Sequence, residues 1–108
     1  MKIFYKTDKL QSMIDDDRAL VRKYGAVIAK AVKRKINTME SMPHLKGYRF
    51  IDSHLELLES DEIEYSVRLD KKFRLIFSPC RPIPLMLDGG VDEEKVVEIL
   101  IRGIVDYH

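Results

Sequence analysis

The chain has 108 residues, of which 45% are hydrophobic and 34% are charged, and its formal net charge is +1. This composition predicts one globular domain over residues 1–108, and no apolar run approaches the ~20 residues that would span a bilayer. The start of the chain lacks the apolar segment of a signal peptide, and the single cysteine, Cys80, excludes an internal disulfide, so we expect a cytoplasmic protein with no membrane partner.

The first half of the chain predicts a short strand followed by two helices. Residues 2–6 alternate weakly, as in a strand, and apolar residues recur at helical spacing over residues 9–24. The aspartates at 15–17 interrupt that segment, either as a solvated face or as a break. Gly25 is suited to cap the first helix, and a second helix is predicted over residues 26–42. Because the link between them is so short, the two helices should pack as an antiparallel hairpin.

Charge is distributed unevenly along the chain. Residues 1–50 hold 12 lysines and arginines against 5 acidic residues, whereas residues 51–108 hold 7 against 13. The whole-chain charge therefore does not favour a nucleic-acid binder, although a local basic patch is compatible with it. Four basic residues of the second helix have two interpretations: a solvated face, or a surface that contacts phosphates or an acidic partner. They are Lys30, Lys33, Arg34 and Lys35.

Residues 43–64 are the least regular part of the sequence. Pro43 should end the second helix, and residues 44–50 are typical of a loop with a possible extended piece. Residues 53–59 fit either a helical turn or an irregular strand. The acidic residues 60–62 are typical of a turn.

A β-hairpin is predicted next, with one strand over residues 65–69 and the other over residues 73–77. In the first strand apolar and aromatic residues alternate with polar ones, and in the second Arg74 and Ile76 alternate with Phe73, Leu75 and Phe77. Arg68 and Arg74 therefore lie on the face opposite to the apolar residues. A single exposed strand arginine is common, but two on the same face of neighbouring strands indicate a functional surface. The three prolines of residues 78–84 exclude a central strand there.

The last thirteen residues predict a strand that runs to the carboxyl end of the chain. With a period of two, one face is almost entirely apolar from Val97 to Tyr107, and the other mixes apolar and ionisable residues and ends at His108. The complete prediction is an α+β fold, in which an N-terminal strand and a two-helix hairpin pack on one face of an antiparallel sheet. The other face of the sheet stays open and is expected to carry Arg68, Arg74, Arg102 and His108.

These segments resemble a known family. The hairpin strands Tyr-Ser-Val-Arg-Leu and Phe-Arg-Leu-Ile-Phe, the segments Pro-Ile-Pro and Asp-Gly-Gly, the closing Ile-Val-Asp-Tyr-His and the opening Lys-Ile-Phe-Tyr-Lys-Thr-Asp-Lys-Leu are similar to those of HigB-type plasmid maintenance killer toxins of the RelE/ParE superfamily. The resemblance spans nearly the whole chain and is strongest over residues 65–108. It implies a RelE-like fold and a type II toxin-antitoxin system, with a HigA-like helix-turn-helix antitoxin as partner.

The resemblance also implies a reaction. HigB-type toxins cleave mRNA in the ribosomal A site, with the ribose 2′-OH as nucleophile and a cyclic phosphate as product. Such an endoribonuclease needs a base, an acid and cations for the charge that builds on the phosphate, but no metal or other cofactor. The resemblance assigns the catalytic roles to His108, Tyr107, Arg68, Arg74 and His54. The cations expected to contact RNA are Lys71, Lys72, Arg102 and Lys46.

Each of these residues also has a structural interpretation. His108 can be a polar chain end, Tyr107 a core aromatic, and His54 a structural histidine. We favour an ion pair with a carboxylate on a neighbouring strand for Arg102. This sequence departs from the family pattern His-x-Leu-Lys-Gly. By spacing, His54 occupies the position of the family's histidine, but the position of the family's lysine falls on Leu57 or Leu58. A Leu-Lys-Gly string with Lys46 occurs some ten residues earlier.

Three functions therefore remain open. The first is a ribosome-dependent mRNA endoribonuclease that inhibits translation. The second is a toxin of the same fold that acts by binding, for example as a gyrase poison, and the displaced lysine and the acidic second half favour it. The third is a catalytically inactive member of the superfamily.

Overall fold

A single five-stranded sheet organises the computed structural model, which describes residues 1–58 and 60–107. Within those ranges the strands are β1 (Lys2–Tyr5), β2 (Glu56–Leu58), β3 (Glu64–Arg68), β4 (Phe73–Pro79) and β5 (Glu98–Asp106). The four α-helices of the same ranges are α1 (Asp8–Asp15), α2 (Asp17–Tyr24), α3 (Ala26–Ser41) and α4 (Leu45–Ile51), and a short 3-10 helix covers Glu93–Lys95. The predicted α+β class is confirmed. Among the described residues, no helix is both long and apolar enough to cross a membrane.

The strand order is β1-β5-β4-β3-β2, and β1 runs parallel to β5 while the other neighbours are antiparallel. The prediction of an antiparallel sheet is therefore wrong at one edge. The exclusion of residues 78–84 from a central strand is wrong in part, because Ser78 and Pro79 extend the end of β4, the middle strand, and pair with Leu100 and Ile99 of β5. Parallel neighbours need a long crossover connection. Here the helices and the other three strands all lie between β1 and β5, so the chain can re-enter the sheet in its original direction.

The break near residue 16 and the cap at Gly25 are both confirmed. The Asp16 carboxylate accepts hydrogen bonds from the backbone N–H of Arg18 (3.1 Å) and Ala19 (3.2 Å), so Asp16 ends α1 and starts α2. Gly25 has a φ of 88° and separates α2 from α3. Asp17 and Lys33, equally distant from Gly25 along the chain, form an ion pair at 3.3 Å. This pair places α2 and α3 side by side in opposite directions.

The core lies between the helices and one face of the sheet. From the helices, Leu20, Val32 and Met39 are fully buried, and from the sheet the rings of Tyr65 and Phe77 stack with centroids 5.6 Å apart. This face of the hairpin is the one whose apolar residues alternate in the sequence. The remaining fully buried large side chains are Ile14, Leu45, Tyr48, Val67, Leu75, Ile99 and Ile101.

Residues 45–51 form a helix where the sequence predicts a loop. His44 caps α4 because its Nδ1 accepts a hydrogen bond from the backbone N–H of Gly47 at 3.0 Å, and the helix buries Leu45 and Tyr48. This short helix is stabilised by its tertiary contacts and not by its own sequence, which contains a helix-weakening glycine. Of the two alternatives for residues 53–59, the strand is confirmed for Glu56–Leu58, which form β2, whereas Ser53 and His54 lie in a turn and Glu59 lies outside the described residues.

The alternation of β5 changes direction at a β-bulge. Phe77 pairs with Ile101, but Ile76 pairs with Gly103, so Arg102 has no partner residue on β4. Ile101 is buried in the core, yet beyond the bulge it is Ile104 that packs towards the core. The predicted apolar face is therefore wrong beyond residue 101. Tyr107, which directly follows β5, therefore turns to the open face.

Replacing two glycines by alanine should change the stability of the protein in opposite directions. Gly25 has a positive φ, so Gly25→Ala is expected to lower the free energy of unfolding by about 1–2 kcal/mol, although no atom lies within 4 Å of the added Cβ. Gly47 lies inside α4, and its Cβ would meet His44 at an ordinary 3.5 Å. Gly47→Ala is expected to raise that free energy by about 0.5–1 kcal/mol. Urea unfolding of both variants checks the pair, and equal effects would contradict it.

Candidate functional site

One end of the sheet brings together the start of β2, the end of β3, the start of β4 and the end of β5. The pairs Glu56 with Ser66, Arg68 with Arg74 and Phe73 with Asp106 establish this arrangement. On the open face at this end, the side chains of five residues form what we call the sheet-end site. They are Glu56, Ser66, Arg68, Arg74 and Tyr107.

Arg74 is the cation of the sheet-end site whose side chain contacts the most groups among the described residues. Its side chain is only 17% exposed, and its Nη1 donates a hydrogen bond to Ser66 Oγ at 3.2 Å. The same nitrogen lies 3.7 Å from a carboxylate oxygen of Glu56. Its Cζ lies 4.8 Å from the centroid of the Tyr107 ring, within the range of a cation–π contact. Three different groups therefore hold one guanidinium in place on the open face.

Arg68 lies directly opposite Arg74 on the neighbouring strand. Like charges in that position repel each other. Arg68 is exposed, and among the described residues it makes no ion pair. An anion that binds between the two guanidinium groups would relieve this repulsion. Because guanidinium groups match phosphate oxygens in geometry, a phosphate group fits such a position well.

The hairpin turn beside the sheet-end site is held by Asp70. Its carboxylate accepts hydrogen bonds from the backbone N–H groups of Phe73 (2.7 Å) and Lys72 (2.8 Å), which lower the pKa of Asp70. Lys71 and Lys72 are exposed on this turn. Lys72 also lies 3.5 Å from a carboxylate oxygen of Asp106. Both lysines predicted to contact RNA therefore lie at the same end of the sheet as Arg68.

Tyr107 lies on the open face and not in the core. Its backbone N–H donates a hydrogen bond to the carbonyl of Lys72 at 2.8 Å, and its side chain is 49% exposed. The core interpretation of Tyr107 is therefore wrong, because the β-bulge turns the end of β5 over. His108 lies outside the described residues, and its predicted catalytic role stays a prediction.

Arg102 is neutralised by two carboxylates. It lies 2.6 Å from Glu62 and 2.7 Å from Glu64, and its side chain is 20% exposed. The ion-pair interpretation of Arg102 is confirmed, but neither carboxylate lies on a strand next to β5, because Glu64 is on β3, which β4 separates from β5, and Glu62 precedes β3. With two negative groups against one positive group, this part of the open face repels phosphate rather than attracting it.

Lys46 lies away from the sheet-end site. The backbone N–H of Leu45 donates a hydrogen bond to the carbonyl of Val96 at 3.0 Å, so the start of α4 lies beside the start of β5, at the opposite end of the sheet. Lys46 contacts Glu94 at 2.9 Å, and this hydrogen bond raises its pKa. The structure therefore does not bring Lys46 together with Arg68 and Arg74.

His54 is exposed just before β2, at the same end of the sheet as Arg68. Its backbone N–H donates a hydrogen bond to Asp52 at 3.0 Å. The buried Asp52 carboxylate also accepts hydrogen bonds from Lys35 Nζ (2.8 Å) and Tyr48 Oη (2.5 Å). Burial raises the pKa of Asp52, but these hydrogen bonds outweigh burial and lower it. Asp52 thus anchors the turn that carries His54.

The basic residues of α3 do not form one patch. Lys33 pairs with Asp17 and Lys35 with Asp52, whereas Lys30 and Arg34 are exposed. Among the described residues no carboxylate forms an ion pair with Arg34 or Lys30. The solvated-face interpretation fits this division better than a continuous phosphate-contacting surface.

Three residues of functional interest were not predicted from the sequence. Ser66 and Glu56 contact Arg74, and Asp52 positions the turn before β2. Ser66 could have been found, because it alternates with Tyr65 and Val67 on the same face as Arg68. Glu56 and Asp52 could not, because their positions depend on how β2 pairs and on α4. Among the described residues, no three His, Cys, Asp or Glu side chains are grouped to hold a metal ion.

No protein-family model, curated protein or solved structure matches this chain.

Proposed function

We propose that this protein is a toxin with a RelE-like fold that cleaves mRNA on the ribosome. The observation that carries the proposal is the pair of opposed arginines, Arg68 and Arg74, on the open face with Tyr107 beside them. The family resemblance stated from the sequence assigns the same three residues to RNA cleavage. A RelE-like fold is part of the proposal and rests on that resemblance and on the α+β architecture.

The residues of the sheet-end site suit attack by a ribose 2′-OH on the adjacent phosphate. A base removes the 2′-OH proton, the 2′ oxygen bonds to phosphorus, and the bond to the 5′ oxygen breaks. An acid returns a proton to that leaving oxygen, and the product is a cyclic phosphate. Arg68 and Arg74 would bind the negative charge of the transition state. His108 and His54 are the proposed proton carriers, since a histidine titrates near neutral pH.

Tyr107 suits the role of a base-stacking residue. One face of its ring meets the guanidinium of Arg74, and the ring remains half-exposed. Stacking on an exposed aromatic ring is a general mode of single-stranded RNA recognition. Arg74 and Tyr107 would then contact the phosphate and the base of one nucleotide.

The proposal implies its partners. The ribosome would supply the mRNA in its A site and part of the cleavage geometry. A helix-turn-helix antitoxin would neutralise the toxin in the cell. Both partners would be met in the cytoplasm, where we expect the protein to act.

A binding toxin, such as a gyrase poison, is the alternative that one observation favours. Glu56 already lies 3.7 Å from Arg74, and Glu62 and Glu64 neutralise Arg102. These carboxylates weaken the attraction of the open face for RNA. An inactive member of the family, with the same fold and no toxicity, is the third possibility.

Induced expression of the wild type and of His108→Ala separates these functions. We expect the wild type to arrest growth and to give message cuts in phase with codons, detected by primer extension, and the variant to do neither. Growth arrest without cuts, accompanied by a DNA-damage response, would replace the nuclease with the binding toxin. Soluble wild-type protein without growth arrest would leave the inactive member.

A further inference from the structure

A groove of about 540 Å³ lies between α1, α2 and the end of β5, on the helix side of the sheet. Its apolar floor is formed by Leu10, Met13, Tyr24 and Ile104. All four side chains are partly buried and pack against the core, so the floor is part of the folded domain. The groove is separate from the sheet-end site, which lies on the open face.

Three cations surround this floor. Lys9, Arg22 and Lys23 are exposed and line the groove, and no aspartate or glutamate lies among its described lining residues. In the part of the chain that the structure describes, none of the three makes an ion pair. The nearby Lys33, by contrast, is paired with Asp17. The rim of the groove therefore carries positive charge with which no carboxylate of residues 1–58 and 60–107 forms an ion pair.

We propose that this groove binds an acidic amphipathic helix of a partner protein. A helix that enters a groove presents apolar residues at positions i, i+3, i+4 and i+7 to an apolar floor. Glutamates or aspartates that flank this stripe would meet Lys9, Arg22 and Lys23. The apolar floor of the groove thus matches the apolar stripe of such a helix, and the cationic rim matches its acidic flanks.

Single-stranded RNA matches the groove less well. Nucleic-acid grooves combine basic residues with exposed aromatic faces on which bases stack. Tyr24 is the one aromatic among the described lining residues. Its ring already packs edge-on against Phe73 with centroids 5.5 Å apart, and Lys23 Nζ lies 5.6 Å from its centroid. The rest of the floor is aliphatic and favours a peptide. This inference does not depend on the proposed RNA cleavage.

Fluorescence anisotropy with the full-length protein tests the groove. The probe is a labelled helical peptide of about 18 residues, or five turns, with a leucine stripe flanked by glutamates. A matched peptide carries glutamine in place of each glutamate, and a single-stranded RNA of similar length is the third probe. We expect the acidic peptide to bind at least about tenfold more tightly than the glutamine peptide, and its affinity to fall with added salt.

Charge reversal locates the binding. A triple variant should bind the acidic peptide at least about tenfold more weakly than the wild type does. Its three substitutions are Lys9→Glu, Arg22→Glu and Lys23→Glu. The matched control reverses three exposed cations outside the groove, Lys2, Lys30 and Arg34, and should change the affinity less than about twofold. Circular dichroism verifies that both variants fold. The proposal would be overturned if the acidic peptide did not bind, if both peptides bound equally tightly, or if both variants lost affinity equally. It would also be overturned if the groove reversal weakened the binding of RNA but not that of the acidic peptide. If the free protein were a dimer that the groove reversal dissociated, the groove would bind a second copy of the chain, and the proposal would be overturned as well.

Discussion

Arg74→Ala is expected to lower RNA cleavage on programmed ribosomes by about 10²–10³-fold. The reason is that Arg74 is held by Ser66, Glu56 and Tyr107, and is therefore preorganised to stabilise charge on a phosphate. Loss of one such preorganised group costs a reaction about this much. The measurement is the rate of message cleavage by purified protein, followed by primer extension.

Two further variants make this prediction specific. Arg74→Lys keeps the positive charge but loses the planar fork, so we expect it to recover only part of the rate. Arg18→Ala removes an exposed arginine of α2, outside the sheet-end site, and should leave the rate unchanged. A folded Arg74→Ala protein that cleaves within about threefold of the wild-type rate would remove Arg74 from the proposed mechanism.

Asp52→Ala is expected to lower the free energy of unfolding by about 2–4 kcal/mol. Asp52 is 5% exposed and accepts hydrogen bonds from Lys35, Tyr48 and the backbone of His54. Without the carboxylate, the buried Tyr48 hydroxyl and the half-buried Lys35 ammonium lose their partner, which costs about this much. Urea unfolding at neutral pH measures the change.

An exposed pair provides the control. Glu94→Ala removes the partner of Lys46, but the two side chains are 61% and 47% exposed, so we expect a loss below about 1 kcal/mol. Equal losses in Asp52→Ala and Glu94→Ala would contradict the assignment of Asp52 as a buried anchor.

The contribution of Asp52 should also depend on pH. Its pKa in the folded protein is lower than the ordinary value of 3.8. A lowered carboxyl pKa stabilises the fold at pH values above the unfolded pKa, and this stabilisation is lost as pH falls through the folded pKa. The difference in unfolding free energy between wild type and Asp52→Ala should therefore be constant near neutrality and become smaller below about pH 4.

Much of the fold could be predicted because its signals are local. The hairpin strands alternate with a period of two, so the sequence by itself placed Arg68 and Arg74 on one face. The break at Asp16 and the cap at Gly25 follow from residue types whose side chain or backbone acts within a few positions. These patterns need no knowledge of the rest of the chain.

The remaining features depend on residues that are distant in sequence. The β-bulge at Arg102 follows from the pairing of β5 with β4, and it places Tyr107 beside Arg74 instead of in the core. Arg102 and Glu62 are separated by 40 positions. Helix α4 and the parallel pairing of β1 with β5 also require the assembled core.

The sequence alone therefore determined the α+β class and the two strand arginines, because side-chain period is a property of neighbouring residues. Tertiary structure decided which cations remain available. It neutralised Arg102 and Lys46 with carboxylates and left Arg68, Lys9, Arg22 and Lys23 without an ion pair among the described residues. The physical reason is that an ion pair requires two charges within about 4 Å, and only the folded chain brings charges from separate segments that close.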